Sequence, residues 1–315
     1  METFRGHQAL LRRLVRPAIA IGSFDGVHRG HAELIGRAVD RARATGGESV
    51  VLTFEPHPAQ VLAPARAPRL LTTTERKLEL FADLGVDVCI LEPFSLALAA
   101  LSPQAFVREV IADGLGAAHV VVGYNFTFGK DRAGNPETLA HLGGEHGFSV
   151  DVVAPVAADG STLSSTLART LVSAGDVAAA RAILGRDFDV DGTVVRGAGR
   201  GHDLGYPTAN IDTGGELLPA HGIYATWMRL LDGDPAKDLI CATSVGTNPT
   251  FAGGALSIEA FALDFSGDLY GRRVRLGFVD RLRGEQTFDS PQALSEQIRR
   301  DVEKVRAIMT TERPP

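Results

Sequence analysis

Short apolar runs alternate with amphipathic segments along the first half of the chain. The strand-like runs are AIAIGSF, ESVVLTF, VDVCIL, AHVVVG and FSVDVV. Between them lie helical patterns, the first of which places Ile35, Ala38, Val39 and Ala42 on one face. Repeated strand–helix units of this length predict an α/β fold, with a parallel sheet covered by helices on both faces. Ligands of such sheets bind at the carboxyl ends of the strands.

The pattern changes after two short helical segments, SSTLARTLVSAG and DVAAARAILG. Strand-like runs then follow one another with Gly, Asp and Pro turns between them: VDGTVVRG, HGIYATWMRLL, LICATSVG, LSIEAFALDF and RRVRLGFVDRL. This pattern predicts an antiparallel sheet, most simply a small β-barrel, followed by a C-terminal helix over SPQALSEQIRRDVEKVRAIM. We therefore expect two domains, 1–185 and 186–315.

Charge and composition exclude several classes of protein. A net charge of −6 and a pI near 5.9 argue against a nucleic-acid partner. No apolar run is long enough for a membrane span or a signal peptide, so we expect a cytoplasmic protein. Cys89 and Cys241 have no paired spacing and are predicted to be buried thiols. The sequence leaves the oligomeric state open, including a homo-oligomer.

The segment GSFDGVHRGH, residues 22–31, predicts a phosphate-binding turn between a strand and a helix. Its glycines allow the backbone to approach an anion closely, and a helix N-terminus offers N–H groups and a positive dipole. His28 and His31 lie three apart and share a face of the first helical turn, so both rings could donate to one anion. The alternatives are a glycine turn with two surface histidines, or a zinc pair that lacks further ligands.

A second glycine-rich segment, Gly192 to Ile211, contains the tetrapeptide PTAN at positions 207–210. In an extended chain Thr208 and Asn210 point the same way, and their oxygens are of the kind that Mg²⁺ accepts beside phosphates. Strand alternation places Glu259 on a face with Phe261 and other apolar residues, which makes it a candidate general base. A polar turn and a salt-bridged barrel carboxylate remain the alternatives.

The motif G-x-F-D-G-x-H-x-G-H resembles that of the nucleotidyltransferase superfamily, and this version is similar to bacterial bifunctional riboflavin kinase/FAD synthetases. FEPHP, VGYNFTFG and SSTLAR are similar to further segments of that family's adenylyltransferase part. PTAN, SVGTNPTF, Glu259 and LYG resemble its riboflavin kinase module. The resemblance covers about Ile19 to Met309 and implies a Rossmann-like nucleotidyltransferase domain followed by a riboflavin kinase β-barrel.

The resemblance also implies roles for individual residues. The catalytic candidates are His28, His31, Asn125 and Glu259. In the adenylyltransferase, the nucleotide-binding candidates are Gly22, Phe24, Asp25, Gly26, Ser164, Ser165, Thr166 and Arg169, and the flavin-binding candidates are Phe54, Pro56, His57, Pro58 and Phe126. In the kinase, the candidates for nucleotide and flavin binding are Gly197, Gly199, Gly201, Gly205, Thr208, Asn210, Asn248 and Arg283, with Thr208 and Asn210 as Mg²⁺ ligands.

The implied activity has two steps, each of which consumes ATP. Riboflavin is phosphorylated to FMN, and FMN is then adenylylated to FAD with release of pyrophosphate. Riboflavin, FMN, FAD and ATP would thus be the small-molecule partners, with Mg²⁺ as cofactor. A member with one activity, an enzyme for a flavin analogue and a non-catalytic flavin sensor are the alternatives, and the sensor would need none of the catalytic candidates.

Overall fold

The computed structural model describes residues 1–158, 161–197, 206–214, 216–232, 238–247 and 256–312. The chain divides into two compact units, Met1–Ser164 and Ser165–Pro315, called here the first and the second unit. In the parts of the chain that the structure describes, no helix combines the length and the apolar character needed to cross a membrane.

A six-stranded sheet forms the centre of the first unit, in the order β1-β4-β3-β2-β5-β6. Its strands are β1 (Glu2–Arg5), β2 (Ala18–Ile21), β3 (Ser49–Glu55), β4 (Val88–Pro93), β5 (His119–Gly123) and β6 (Ser149–Val153). Every neighbouring pair is parallel, which confirms the predicted parallel sheet. Strand β1 was not predicted, since its four residues carry two charges and it becomes a strand by pairing with the edge of β4.

Helices connect these strands and cover both faces of the sheet. They are α1 (Arg29–Thr45), α2 (Pro58–Leu62), α3 (Thr74–Asp83), α4 (Leu96–Ala99), α5 (Pro103–Phe106) and α6 (Pro136–His146). A π-helix, Val107–Gly114, follows α5 directly. The predicted apolar face of α1 is buried, and Ile35 packs with Ala20 of β2 on one side of the sheet. Ile19 and Ile21 of the same strand enter the core on the other side.

The second unit begins with two helices, α7 (Ser165–Ala174) and α8 (Val177–Leu184). The sequence pattern assigns them to the first domain, up to residue 185, whereas their contacts group them with the barrel. The guanidinium of Arg181 in α8 donates to the carbonyl of Val279 at 2.8 Å and lies 2.7 Å from the carboxylate of Asp187. A two-stranded hairpin, β7 (Ala157–Ala158) with β8 (Ser161–Thr162), precedes them in the first unit.

Six antiparallel strands close into the predicted barrel, in the order β10-β13-β12-β11-β14-β9. They are β9 (Phe188–Val195), β10 (Ala209–Asp212), β11 (Gly222–Leu230), β12 (Asp238–Thr247), β13 (Leu256–Ala262) and β14 (Arg273–Arg283). The predicted C-terminal helix is α9 (Pro291–Glu312). Its buried residues Val305 and Met309 pack with Trp227 of β11 and Val279 of β14 on the outer surface of the barrel.

Candidate functional site

The segment that joins β2 to α1, residues 22–31, is called here the histidine turn. Its backbone has positive φ at Phe24 (51°), Gly26 (78°) and Val27 (38°). Residues that have a Cβ rarely adopt positive φ values, and β-branched residues such as valine do so least often. The turn therefore holds local backbone strain that contacts with its surroundings must offset. A Cβ on Gly22 would lie 2.9 Å from the ring of Phe24. The first glycine of the motif is therefore needed for packing inside the turn.

Two adjacent residues, Leu71 and Thr72, hold the histidine turn in this shape. The buried carboxylate of Asp25 accepts hydrogen bonds from the N–H of Leu71, with N–O distances of 2.9 and 3.2 Å. The next N–H, of Gly26, donates to the hydroxyl of Thr72 at 3.1 Å. These contacts give Asp25 and Gly26 a structural task, while nucleotide binding by them stays a prediction.

His28 is the N-cap of α1. Its Nδ1 accepts from the N–H groups of Gly30 (3.1 Å) and His31 (3.3 Å), so the ring proton resides on Nε2, which remains a donor. The sequence suggested that these first-turn N–H groups would face an anion. The structure instead satisfies two of them with the imidazole of His28, and anion binding by the histidine side chains stays a prediction.

The rings of His28 and His31 stack, with centroids 3.6 Å apart and planes at 20°, which confirms their predicted proximity. The ring of Phe24 meets His31 edge-on at 5.3 Å. Within the described residues, Nδ1 of His31 is buried and has no hydrogen-bond partner. The pKa of His31 lies well below its usual value chiefly because the ring is buried; protonation of His28 and the charge of Lys77 lower it further. His31 is thus a neutral imidazole at pH 7.

Two further predicted segments follow β3 and β5 at the same edge of the sheet. Phe54 and the cis peptide Glu55–Pro56 end β3, and His57 caps α2 by accepting from the N–H of Ala59 at 3.2 Å. Pro58 is the first residue of α2. Because β2, β3 and β5 are parallel neighbours, their carboxyl ends share the edge that carries the histidine turn.

Beyond β5, Asn125 is exposed and Phe126 stacks on Phe128 with ring centroids 5.4 Å apart. The side chain of Asn125 lies over Gly123, where an added Cβ would be 3.4 Å from its Oδ1. The exposed amide and the adjoining aromatic pair suit a planar ligand with polar groups, which is consistent with the predicted catalytic and flavin-side assignments.

The SSTLAR segment spans the point where the chain passes between the units. Ser164 closes the first unit, and Ser165 and Thr166 form the first turn of α7, as the predicted helix start requires. Arg169 lies one turn further along the helix and is partly buried. Nucleotide binding by these residues stays a prediction.

In the barrel, the structure brings together Thr208, Asn210 and Glu259, called here the barrel cluster. Asn210 on β10 stands directly opposite Glu259 on β13, and side chains opposite each other share a face of the sheet. The hydroxyl of Thr208 donates to Oε2 of Glu259 at 3.5 Å, the long limit of a hydrogen bond. The half-buried carboxylate of Glu259 thus lies next to the hydroxyl of Thr208 and opposite Asn210.

Among the described residues of this unit, the side-chain amide of Asn210 indicates a ligand site most clearly. Asn210 is 5% exposed, and its Oδ1 is buried without a hydrogen-bond partner among the described residues. An unsatisfied buried acceptor costs about 1–3 kcal/mol, so such an atom is expected to meet a ligand. Gly197 permits this placement, because a Cβ at that position would overlap the amide of Asn210. Four other predicted kinase residues, Gly199, Gly201, Gly205 and Asn248, lie outside the described residues.

Arg283, predicted to lie near the flavin, forms a buried ion pair. It donates to both carboxylate oxygens of Asp301 on α9, with N–O distances of 2.7 to 3.2 Å. A further N–H donates to the carbonyl of Gly284 at 3.0 Å. The geometry gives Arg283 a role in attaching α9 to the barrel, and its contact with flavin stays a prediction.

Sequence reasoning missed several buried charged groups, among them Lys77 and Arg275. Lys77 belongs to the apolar face of α3, three and four residues before Leu80 and Phe81, and this periodicity could have marked it as buried. In the barrel, Arg275 of β14 binds Asp191 of β9 at 2.6 and 2.8 Å.

Glu216, in the connection that follows β10, lies close enough to Asp191 for that carboxylate to disfavour a second negative charge. Its pKa is raised to about 8, chiefly by burial and then by Asp191. The Arg275–Asp191 ion pair joins the neighbouring strands β14 and β9. Its formation therefore depends on strand order in the barrel, which local sequence does not encode.

Two family models match the chain. The FAD synthetase family matches residues 10–167 and the riboflavin kinase family matches residues 184–309. The bifunctional riboflavin kinase/FMN adenylyltransferase of Pseudomonas fluorescens is 38% identical over 289 residues, which cover 91% of each chain. The protein of that name from Bacillus subtilis is 33% identical over 94% of this chain and 93% of its own.

A solved structure is also similar. A Streptococcus pneumoniae chain described as a macrolide-efflux protein has a TM-score of 0.85 at 29% identity, covering 96% of this chain and 98% of that one. The match of both family models in sequence order, and of relatives over nearly their whole length, shows that the chain belongs to the family of bifunctional riboflavin kinase/FMN adenylyltransferases.

Proposed function

We propose that the protein makes FAD from riboflavin in two steps. Segment 186–315 transfers the γ-phosphoryl group of ATP to riboflavin and yields FMN. Segment 1–185 then joins FMN to the AMP part of a second ATP and releases pyrophosphate. The observation that carries this proposal is that each family match contains its own cluster of polar side chains, the histidine turn in one and the barrel cluster in the other.

In the kinase step, Glu259 accepts the proton of the terminal ribityl hydroxyl as its oxygen attacks the γ-phosphorus. The hydroxyl of Thr208 donates to this carboxylate and limits its rotation. Thr208 and Asn210 are the residues that would hold Mg²⁺, and the buried, unpartnered Oδ1 of Asn210 fits that assignment. When bound there, the ion supplies positive charge next to the phosphate oxygens of ATP.

In the adenylyl step, an oxygen of the FMN phosphate attacks the α-phosphorus of ATP. The bond to the bridging oxygen breaks, and pyrophosphate leaves. Nε2–H of His28 and the imidazole of His31 donate to phosphate oxygens, where negative charge increases in the transition state. Ser164, Ser165, Thr166 and Arg169 are further candidates for nucleotide binding in this step, and Arg169 suits phosphate because a guanidinium donates in a planar fork.

The flavin lies beside the loops that follow β3 and β5, with Phe54 and Phe126 as apolar contacts and Asn125 as a polar one. Riboflavin, FMN and ATP are the partners, and the acidic net charge disfavours nucleic acid. The cytoplasm is the compartment that supplies these substrates. The free buried thiols of Cys89 and Cys241 are consistent with reducing conditions.

Two variants separate the steps. His31→Asn should convert riboflavin to FMN at the normal rate and make FAD about 10²–10³-fold more slowly, as expected when a transition-state donor is lost. Glu259→Gln should lose about 10²–10⁴-fold in FMN formation, as expected for a general base, yet adenylylate supplied FMN normally.

Matched controls on exposed residues are His141→Asn and Glu303→Gln, which should leave both reactions unchanged. Each variant is supplied with riboflavin or with FMN, together with ATP and MgCl₂, and the flavins are separated by chromatography. Loss of both reactions in either site variant would show that the residue maintains the fold and does not serve one step.

A further inference from the structure

Lys77 is a buried cation directly beneath the histidine turn. It is 8% exposed, and its Nζ donates to the carbonyl of Ser23 and to the hydroxyl of Thr53, both at 3.3 Å. That hydroxyl in turn donates to the carbonyl of Ser23 at 3.2 Å. The three groups form a closed triangle that ties α3, β3 and the turn together.

A buried ammonium with two neutral acceptors is expensive, since its hydration is lost and the acceptors return only part of that energy. Burial lowers the pKa of Lys77, while Asp25, Cys89 and Glu55 oppose that shift from the turn, β4 and β3. Two of these three groups are carboxylates, so their electrostatic attraction favours the charged form of Lys77 against the effect of burial. A chain that needed only packing at this position would be more stable with Leu or Met.

We propose that Lys77 is a positioning residue of the adenylyl-transfer site, which clamps the Ser23 carbonyl to β3 and places a positive charge against the turn that carries His31. This inference rests on the proposed function of the histidine turn. The clamp acts one residue before Phe24, where the backbone enters its positive-φ segment, and it offsets part of the strain stored there.

The electrostatic effect of Lys77 concerns the protonation of His31. Lys77, from α3, and His28, at the N-terminus of the same helix, when it is protonated, are the groups whose positive charge disfavours the imidazolium form of His31. Keeping His31 neutral leaves an imidazole that donates a hydrogen bond to phosphate and does not hold the product by full ionic attraction. Loss of the Lys77 charge should raise the pH at which His31 becomes protonated.

Three variants separate the clamp from the charge. Lys77→Met removes both, Lys77→Arg keeps the charge, and Thr53→Val breaks the triangle while it leaves the ammonium in place. The measurements are kcat/KM for FMN adenylylation between pH 5 and 9, the rate of riboflavin phosphorylation, and the NMR titration of His31, assigned by comparison with His31→Asn.

We expect Lys77→Met to move both the acid limb of adenylylation and the His31 titration to higher pH by roughly half to one unit. Lys77→Arg should keep the wild-type pH values, and Thr53→Val should lower kcat at every pH without moving the limb. Riboflavin phosphorylation should be unchanged in all three. Unshifted limb and titration in Lys77→Met would overturn the proposal.

The protein would behave differently if it lacked the proposed function than if only the role of Lys77 were wrong. If the wild-type chain made no FAD, the proposed function would be wrong, whereas the NMR titration would still test the coupling between Lys77 and His31. If FAD is made and Lys77→Met and Lys77→Arg lose activity equally at all pH values, Lys77 has only a structural role and the inference is wrong.

Discussion

Replacing Asp301 with alanine should destabilise the second unit far more than an ordinary surface substitution. Asp301 accepts from Arg283 through two nitrogens and from the side-chain amide of Gln297 at 2.8 Å. The side chains of Arg283 and Asp301 are 13% and 4% exposed, so removal of the carboxylate leaves a buried guanidinium without its counter-charge. The contact joins the end of β14 to α9, so its loss also loosens the helix.

Breaking a buried ion pair by removing one partner costs about 3–5 kcal/mol. For a unit of this size, 1 kcal/mol shifts the Tm by roughly 2–4 °C, so the variant should melt on the order of 10 °C lower. The matched control is Glu303→Ala on the same helix, which breaks an exposed pair with Arg299 whose side chains are 62% and 61% exposed. Exposed helical pairs contribute about 0.3–0.5 kcal/mol, so the control should hardly move.

Tryptophan fluorescence can follow this unit alone. The sequence has one tryptophan, Trp227, and it packs against Val305 and Met309 of α9. Urea and thermal unfolding of wild type, Asp301→Ala and Glu303→Ala are recorded at that emission. A loss below about 1 kcal/mol in Asp301→Ala, or a loss equal to that of the control, would refute the view that this ion pair anchors α9.

Two further predictions concern the barrel. Gly197→Ala should force the amide of Asn210 to move, so the half-maximal kinase rate should need a higher Mg²⁺ concentration. Adenylylation of supplied FMN should be unchanged. An unaltered Mg²⁺ requirement in kinetic titrations would contradict the assignment of Asn210 as a Mg²⁺ ligand. Because the pKa of Glu216 is raised to about 8, the unfolded chain releases this proton first as pH increases, so wild-type stability should fall between about pH 4.5 and 8. Glu216→Gln lacks this dependence and should gain on wild type by about 1–2 kcal/mol at pH 8.5, with no gain at pH 4, as measured by urea unfolding; a constant difference at both pH values would contradict the raised pKa.

Local patterns were sufficient to predict most of the fold. In the first half, apolar runs that alternate with amphipathic segments predicted a parallel sheet, because strands buried on both faces are continuous apolar runs. Strands β2 to β6 lie where those runs are. Strands β1 and β10 were not predicted as elements. Each has only four residues, of which at least two are polar or charged, and each exists because a neighbouring strand offers unpaired backbone groups.

In the candidate sites too, contacts between residues close in sequence were predicted, whereas contacts that depend on tertiary packing were not. The proximity of His28 and His31 followed from their helical spacing, but the use of Nδ1 of His28 as a cap did not, because only the backbone geometry at the helix start reveals it. Glu259 is 51 residues from Thr208, so their contact depends on strand order in the barrel. Arg283 illustrates the limit of motif reasoning, since its ion pair with Asp301 depends on how α9 packs.

A time course of flavin products tests the central claim most directly. The purified chain is incubated with riboflavin, ATP and MgCl₂, and samples are separated by chromatography. The account predicts that FMN appears first and that FAD follows as FMN is consumed, with pyrophosphate released in step with FAD. Accumulation of FMN without FAD, or no product at all, would contradict the claim that one chain carries both activities.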